Sequence, residues 1–586
     1  MGEIAPYSAS FDIETERFDP KNGKHLRNVR FKCGAVVYED RKEYYTDVKE
    51  YVKRLNAYPK LNAHNAPFDH QCLKREGFQI DPKKLECTML MGWLLDENNP
   101  VSLEALSQRY LGAGKTQSIA DGFEIDVDDP KTKEYVIQDA ALGGQLRGLF
   151  RRKMKDEGVE QLFDEIDMPF RLILDEATNE GVCVDLPQLE KKIKYYEDRV
   201  KAVKDHFMVV HGVNIASSKQ VWKCLYYFPK SIPKQKDGTP KSDTKTIASV
   251  PKQYLKDTAQ EILDWRKEHK LLGTFLKGLK KAIEPDGLAH PLYNMTRART
   301  GRLSSGGSPK SYPHTYNIQN VANKNQEVRE CIIAKPGTSI VLIDAEQLEY
   351  RVLAHYAEDE TLIQAFLQNK DLHVLAASLA FEKPEAEITS KERADGKTIN
   401  YASMYGTTAS GLEWNMGIPL AKGEKLLKAF YEGLPGLLKL KEAVRQQIGT
   451  KGFIQSLYGR KRRVPEAVDL FARNPDIAKG YLLGKADKSN NARLFYQLFK
   501  EAFSGLIQGT AMDLMKECCI NALKVLDPSY KFFLQVHDEF GFYVPKEKEE
   551  QAAKEIKEAF EQGHRPFSVP ILFKAYIGKT WAIKGH

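Results

Sequence analysis

Cysteine is scarce in this chain: eight residues in 586, with no CxxC pair and only Cys518 and Cys519 adjacent. That spacing supports neither a disulfide framework nor a zinc site, so the thiols read as reduced and mostly core. No apolar run approaches the ~20 residues of a membrane span. The opening MGEIAPYSASFDIE has neither a basic n-region followed by an apolar h-region nor an Arg/Ser-rich presequence, so a cytoplasmic protein is expected. Internal repeats and low-complexity tracts are also missing. What remains is a globular composition, 42% hydrophobic and 29% charged, with a net charge of only +8.

The length exceeds what one hydrophobic core usually serves, about 250–300 residues, so at least two domains are expected. Up to about residue 157, short apolar runs such as VRFKCGAVVY alternate with helix-like stretches, the pattern of an α/β domain. Residues 158–290 carry long charged helical patterns, interrupted by a Pro/Lys/Gly-rich segment at 229–245 that reads as an exposed loop. Beyond 290 come a Gly/Ser-rich segment, the strand-like TSIVLIDAE, and then long helices. A charged stretch at 466–495 reads as an insertion loop, and 306–316 as a second insertion. The basic clusters GRKRR (459–463) and LFRRKMK (149–155) suit a phosphate backbone, although such clusters are more often solvated surface.

In SFDIETE, Asp12 and Glu14 are two residues apart in a probable strand, so both carboxylates leave the same face. Hard oxygen donors so placed suit Mg2+ or Mn2+, although a solvent-facing strand edge gives the same pattern. NAPFD adds Asp69, and YVIQD sets Tyr135 and Asp139 on one helical face. Four acids from several elements, with a phenol to orient water, are what a two-metal phosphodiesterase requires.

A second constellation lies in RADGKTINYASMYG. There Arg393, Lys397, Tyr401 and Tyr405 recur every four residues, drifting by only about 40° per step around a helix. Two cations followed by two aromatics could take a triphosphate at one end and stack a base at the other. TSIVLIDAEQLEYR delivers Asp344 at a strand end and spaces Glu349 onto the helix that follows. FFLQVHDEFGFYV sets His537, Asp538 and Glu539 between two apolar strands, where a tight turn would normally use Asn-Gly or Asp-Gly. Asp344 and Asp538 on neighbouring strands would suffice to hold two Mg2+ ions together with substrate phosphates.

These residues carry two resemblances. Asp12 with Glu14, Asn65 with Asp69, and Tyr135 with Asp139 resemble, in order, the three motifs of proofreading 3′ to 5′ exonucleases. DAEQLEYRVLAH, RADGKTINYASMYG and VHDE resemble motifs A, B and C of the family A DNA polymerases, with supporting segments in the right order: TRARTGRLSS and NIQN ahead of motif A, DLHVLAASLAF between A and B, and IQGTAMD ahead of motif C. The fold implied is multidomain α/β: a ribonuclease H-like exonuclease domain in 1–157, then a right-hand polymerase domain in 158–586. Within the latter the thumb would span about 158–290, the palm 291–355 and 456–586, and the fingers 356–455.

Carried over by position, the resemblance implies that Asp12, Glu14, Asp69 and Asp139 bind two divalent ions, while Tyr135 positions the attacking water. Asp344, the carbonyl of Ala345, and Asp538 would hold two more ions, with Glu539 nearby. Arg393, Lys397 and His373 would meet the triphosphate, Tyr401, Tyr405 and Gln347 would line the nucleotide pocket, and Glu349 would exclude a ribose 2′-OH. Arg302, Asn317, Gln319, Gln508 and His537 would line the minor groove of a primer-template. The partners implied are primer-template DNA and dNTPs, and a monomer is expected.

Some positions depart from the family pattern. Motif A reads Asp344-Ala345-Glu346-Gln347 where Asp-Tyr-Ser-Gln is usual, and Lys500 and Ser504 replace an Arg and an Asn ahead of IQGTA. Tyr401 stands where many members carry Phe, which implies ready acceptance of dideoxynucleotides. A polymerase with only an exonuclease attached resembles the replicases of some bacteriophages, so the cytoplasm of a bacterium or of a phage-infected cell is the expected setting.

Overall fold

Strand β1 (Ser8–Thr15) buries Phe11 and Ile13 on one face and leaves Asp12 and Glu14 half-buried on the other, the period of two that the sequence predicts. It pairs antiparallel with β2 (Phe31–Tyr38), which pairs with β3 (Arg41–Tyr45). On its other side it runs parallel to β4 (Lys60–Ala63), and β4 runs parallel to β5 (Leu85–Cys87), giving the order β3-β2-β1-β4-β5. The structure, a computed structural model, describes residues 8–16, 27–114, 125–225, 238, 241–248, 256–307, 312–404, 406, 408–416, 418–482 and 489–584. Most of the 229–245 loop expected from sequence lies outside these residues, as do Tyr405 and the side chain of Tyr401.

The 27-residue helix Pro130–Asp156 lies across β1 and β2. It comes down closely because Gly144 faces Ser10: a Cβ there would stand 2.9 Å from Ser10 Oγ. Asn62 of β4 fastens the contact, its amide donating to Gly143 O at 3.1 Å and to Ser10 Oγ at 3.3 Å. Asp139, just over one turn earlier on the same helix, is thereby carried over β1.

Next come the two-residue strand β6 (Val182–Cys183) and long helices, including Leu186–His211; β6 pairs with β7 (Leu288–Ala289), and β8 (Tyr293–Asn294) with β9 (Ser304–Ser305). Strand β10 (Thr338–Ala345) is the expected TSIVLIDA strand. After a helical block come the hairpin β11 (Phe453–Gln455) and β12 (Lys461–Arg463), then β13 (Lys531–Val536), β14 (Glu539–Pro545) and β15 (Phe573–Gly578). The second sheet has the order β13-β14-β10-β15 and is antiparallel throughout. Its inner strands are buried and largely apolar, with helix Met168–Glu180 packed against β13 and helix Glu549–Gln562 against β10 and β15.

Two sequence expectations fail here. The stretch 466–495 is not simply a loop: it forms helices Glu466–Arg473 and Lys479–Leu482 and the start of the 36-residue helix Asn490–Val525. Buried Arg445 anchors it, donating to Pro475 O at 2.7 Å and Ile477 O at 3.1 Å. The cations of the GRKRR cluster are engaged by acids of the protein itself. Arg462 and Arg463 pair with Glu97 of the first domain at 3.2 and 2.8 Å, and Lys461 with Glu157 at 3.3 Å. Arg460 is buried between Asp167 and Asp513, each at 2.8 Å, and Lys516 bonds the same two acids at 2.8 and 3.1 Å. Of the second cluster, Arg151 is likewise engaged, with Glu86 and Asp164, both at 2.8 Å. All eight cysteines are free thiols, and no described helix is both long and apolar enough to cross a membrane.

Candidate active sites

In the first domain, β1 presents Asp12 and Glu14, and the helix above presents Asp139. Ligand oxygens of these three lie within 4.8 Å of one another. Asp69 enters from the first turn of helix Ala66–Arg75, whose N-cap Asn65 takes a left-handed conformation, φ 63°. Asp69 is buried, its Oδ2 has no hydrogen-bond partner, and burial with the nearby Glu14 charge pushes its pKa well above the carboxylate range. A buried acidic site of hard oxygens, one of them orphaned, fits a divalent cation. Tyr135 is buried one helical turn before Asp139, and Tyr51, beneath the sheet, donates its hydroxyl to Asp12 O at 3.0 Å.

In the second domain the HDE hairpin is a two-residue turn. Val536 pairs with Glu539, leaving His537 and Asp538 in the loop, with His537 at φ 57°. A non-glycine residue in that region costs about 1–2 kcal/mol, so the surroundings must hold it. They do so through buried Gln535 and Gln319. Gln319 Nε2 donates to Gln535 O at 2.7 Å and to its side-chain oxygen at 2.9 Å, and Gln319 Oε1 accepts from His537 N at 3.3 Å. Gln535 donates to His537 O at 2.5 Å.

The turn sits beside the end of β10. Asp344 is the register partner of Glu539, and Ala345 N donates to Asp538 O at 3.2 Å. Asp344 and Asp538 are thus brought together at one end of two adjoining central strands, as expected. Glu539 has other partners: its buried carboxylate accepts from Arg329 at 3.4 Å and from the Trp581 indole, and the Arg329 guanidinium lies 4.0 Å over the Trp581 ring. Glu346, whose effect sequence left open, is paired with Lys574 at 3.1 Å.

A cavity of about 240 Å³ opens next to the aspartates, lined by Arg302, Gln347, Glu349, Gln508, His537 and Asp538 among others. Glu349 pairs with Arg302, while burial, opposed by Arg302 and reinforced by Asp538, raises its pKa. Gln347, in a left-handed conformation at φ 52°, makes the turn into helix Leu348–Ala357. Two of the expected DNA-contacting residues are bonded within the protein: Gln319 holds the hairpin, and Asn317 accepts from Ser305 Oγ at 3.0 Å.

Helix Ser390–Met404 carries Arg393 and Lys397 on its exposed side, facing helix Leu372–Phe381. Arg393 donates to Asp371 at 2.7 Å, and Asp371 also caps the second helix. His373 sits among them; burial lowers its pKa, Asp371 opposes this, and the Arg393 and Lys397 charges lower it further. Gln535, Arg329, Trp581 and Asp371 were not anticipated. Only the polarity of Gln535 within an apolar strand could have signalled one of them.

Comparison with known proteins follows the two-part division. Residues 186–583 match the family model DNA polymerase family A, and residues 4–155 match that of 3'-5' exonuclease. The chain is 26% identical to DNA polymerase I of Borreliella burgdorferi over 98% of its own length and 62% of that protein. It is 28% identical to the thermostable DNA polymerase I of Thermus aquaticus over 86% of its own length and 56% of that protein. The chain therefore spans less than two thirds of these curated relatives. A solved structure of the POL domain of Pol1 from M. smegmatis in complex with DNA primer-template and dNTP superposes with TM-score 0.84 at 22% identity, covering 99% of this chain and 97% of that one.

Proposed function

Because the chain belongs to the family A DNA polymerases, we propose that it extends a primer 3′-OH with dNTPs on a DNA template and removes mispaired ends with its amino-terminal 3′ to 5′ exonuclease. The observation that carries this is the juxtaposition of Asp344 and Asp538 at one end of β10 and β14, opening into the cavity of Arg302, Glu349, Gln508 and His537. In this reading residues 1–157 excise and 158–586 synthesise, with thumb, palm and fingers divided as the sequence predicts. The setting is the cytoplasm of a bacterium or a phage-infected cell, the role is phage replication, and the chain acts as a monomer.

Asp344, Asp538 and the Ala345 carbonyl would hold Mg2+ at the synthetic site, and Asp12, Glu14, Asp69 and Asp139 at the excision site, two ions each, with Mn2+ able to substitute. When bound, such ions activate the attacking oxygen and neutralise charge on the departing phosphate. Arg393, Lys397 and His373 receive the triphosphate, and Tyr401 and Tyr405 flank the base. Glu349, held by Arg302, closes the space a ribose 2′-OH would need. Movement of helix Ser390–Met404 toward Asp344 and Asp538 would couple correct pairing to reaction. In the first domain Tyr135 orients the attacking water beside Asp139.

Primer extension tests the proposal: with dNTPs and Mg2+ the labelled primer lengthens on its template, and without dNTPs it shortens from the 3′ end. Shortening under both conditions would reduce the protein to a nuclease, and no change in either would leave it a DNA-binding accessory.

A further inference from the structure

Four acids crowd one end of β10 and β14: Asp344, Glu346, Asp538 and Glu539. Asp344 and Glu539 are direct partners across the two strands, so their side chains leave the same face with Cβ atoms about 4.5–5.5 Å apart. Like charges so placed repel, and a cation held by one carboxylate draws in the other. The surplus is absorbed on two sides. Glu346 is matched by Lys574 at 3.1 Å. Glu539 is matched by a clasp that the segment 579–581 builds against residues 329–334.

Backbone contacts assemble the clasp. Ala334 N donates to Lys579 O at 2.9 Å, Ile333 forms a bridge with Thr580, and Trp581 N donates to Ile332 O at 2.8 Å. They seat Trp581 with no exposed surface, its ring 4.0 Å from the Arg329 guanidinium and its indole N–H on Glu539 Oε1. Arg329 reaches the two carboxylate oxygens at 3.4 Å each, and among the described residues its buried Nε has no hydrogen-bond partner. The ion pair by itself is therefore long and poorly directed. The indole supplies what it lacks, a π face for the cation and a hydrogen bond for the anion. One side chain thus holds both ends of a buried pair.

We infer that Trp581 is a positioning residue for synthesis: acting through Glu539, it keeps that carboxylate out of the cation site, so that the site is built on two carboxylates, Asp344 and Asp538, and not on three. This rests on the polymerase reading of the adjoining cavity. The oxygen donors of Asp344 and Asp538 suit a divalent ion that also takes substrate phosphates, and a third carboxylate would compete for the positions those phosphates need. More negative charge would tighten the empty site's hold on a cation while slowing reaction.

The test uses Trp581→Phe, which keeps a ring but loses the N–H, Glu539→Gln, and the double variant. Mn2+ binding is followed by electron paramagnetic resonance without DNA or nucleotide, in an Asp12→Ala, Asp139→Ala background that weakens the excision site. Primer extension and 3′ shortening are measured with Asp12 and Asp139 intact. Trp581→Phe should bind Mn2+ roughly tenfold tighter and lower kcat for extension about 10–100-fold, with KM for dNTPs and shortening little changed. Adding Glu539→Gln should return Mn2+ affinity to the parent's, and the double variant should match Glu539→Gln alone in extension. Parental Mn2+ affinity in Trp581→Phe, or losses in kcat that multiply in the double variant, overturns the inference. Should Trp581→Phe fail to fold, replacing Trp581 alone with its benzothienyl isostere, in which sulfur takes the place of N–H, carries the same expectations. A parent that does not extend a primer removes the polymerase reading; a parent that extends, with variants that bind Mn2+ as it does, sinks the clasp alone.

Discussion

Gln319 shows how one residue can brace a site from within the protein. Its side chain is buried, and its amide holds both Gln535 and the His537 backbone, so it stabilises a turn whose first residue sits at φ 57°. Gln319→Leu takes the donor from the buried Gln535 side-chain oxygen and the acceptor from His537 N, which should cost about 1–3 kcal/mol. Urea unfolding should show that loss together with slowed primer extension and undiminished excision; a variant as stable and active as the parent would contradict the assignment. Lys441 offers a pH test. It is buried with its Nζ 2.6 Å from the Tyr431 hydroxyl, and burial lowers its pKa from 10.5 to about 7. Between those values the unfolded chain binds more protons than the folded one, so stability rises with pH through that window. Lys441→Met should remove this rise and stabilise the protein at neutral pH; unchanged pH dependence in thermal melts would refute it. The acids themselves were legible from spacing, because a strand or helix of known period fixes which carboxylates share a face. The braces were not, because Gln535 and Arg329 acquire their roles only when distant segments meet.

At the scale of elements, strands β1, β10, β13 and β14 and helices Pro130–Asp156 and Ser390–Met404 follow their sequence periodicity closely. The stretch 466–495 does not. Its charges suggested a solvated loop, but every third or fourth residue, Ala467, Leu470 and Phe471, is apolar and packs inward, and Arg445 reaches across from another helix. The two helices that carry Arg393, Lys397 and His373 are joined by a close approach. A Cβ on Gly396 would stand 2.3 Å from His373 O and 2.8 Å from the Ala377 Cβ. Gly396→Ala should therefore push Arg393 and Lys397 away from His373 and raise the KM for dNTPs on the order of tenfold or more, with excision unaffected. A normal KM in steady-state extension would show that the contact is slack.

At the scale of the molecule, Lys461, Arg462 and Arg463 bracket the two domains through Glu97 and Glu157, while Arg460 is buried between Asp167 and Asp513 beside them. The sequence could not reveal this, because Glu97, Glu157 and Asp167 lie some 300 residues upstream or more. Removing one member of a buried ionic group strands the rest, so Arg460→Met should destabilise by about 3–5 kcal/mol, whereas Arg463→Gln, nearer solvent, should cost less. A loss below 1 kcal/mol for Arg460→Met in thermal unfolding would mean that water has already compensated the acids. The bracket joins two domains with separate carboxylate sets, and that separation is the central claim. The most direct test assays Asp538→Ala and Asp12→Ala side by side for primer extension and for 3′ shortening. The account predicts that Asp538→Ala abolishes extension and keeps shortening, while Asp12→Ala does the reverse; loss of both activities through either change would contradict it.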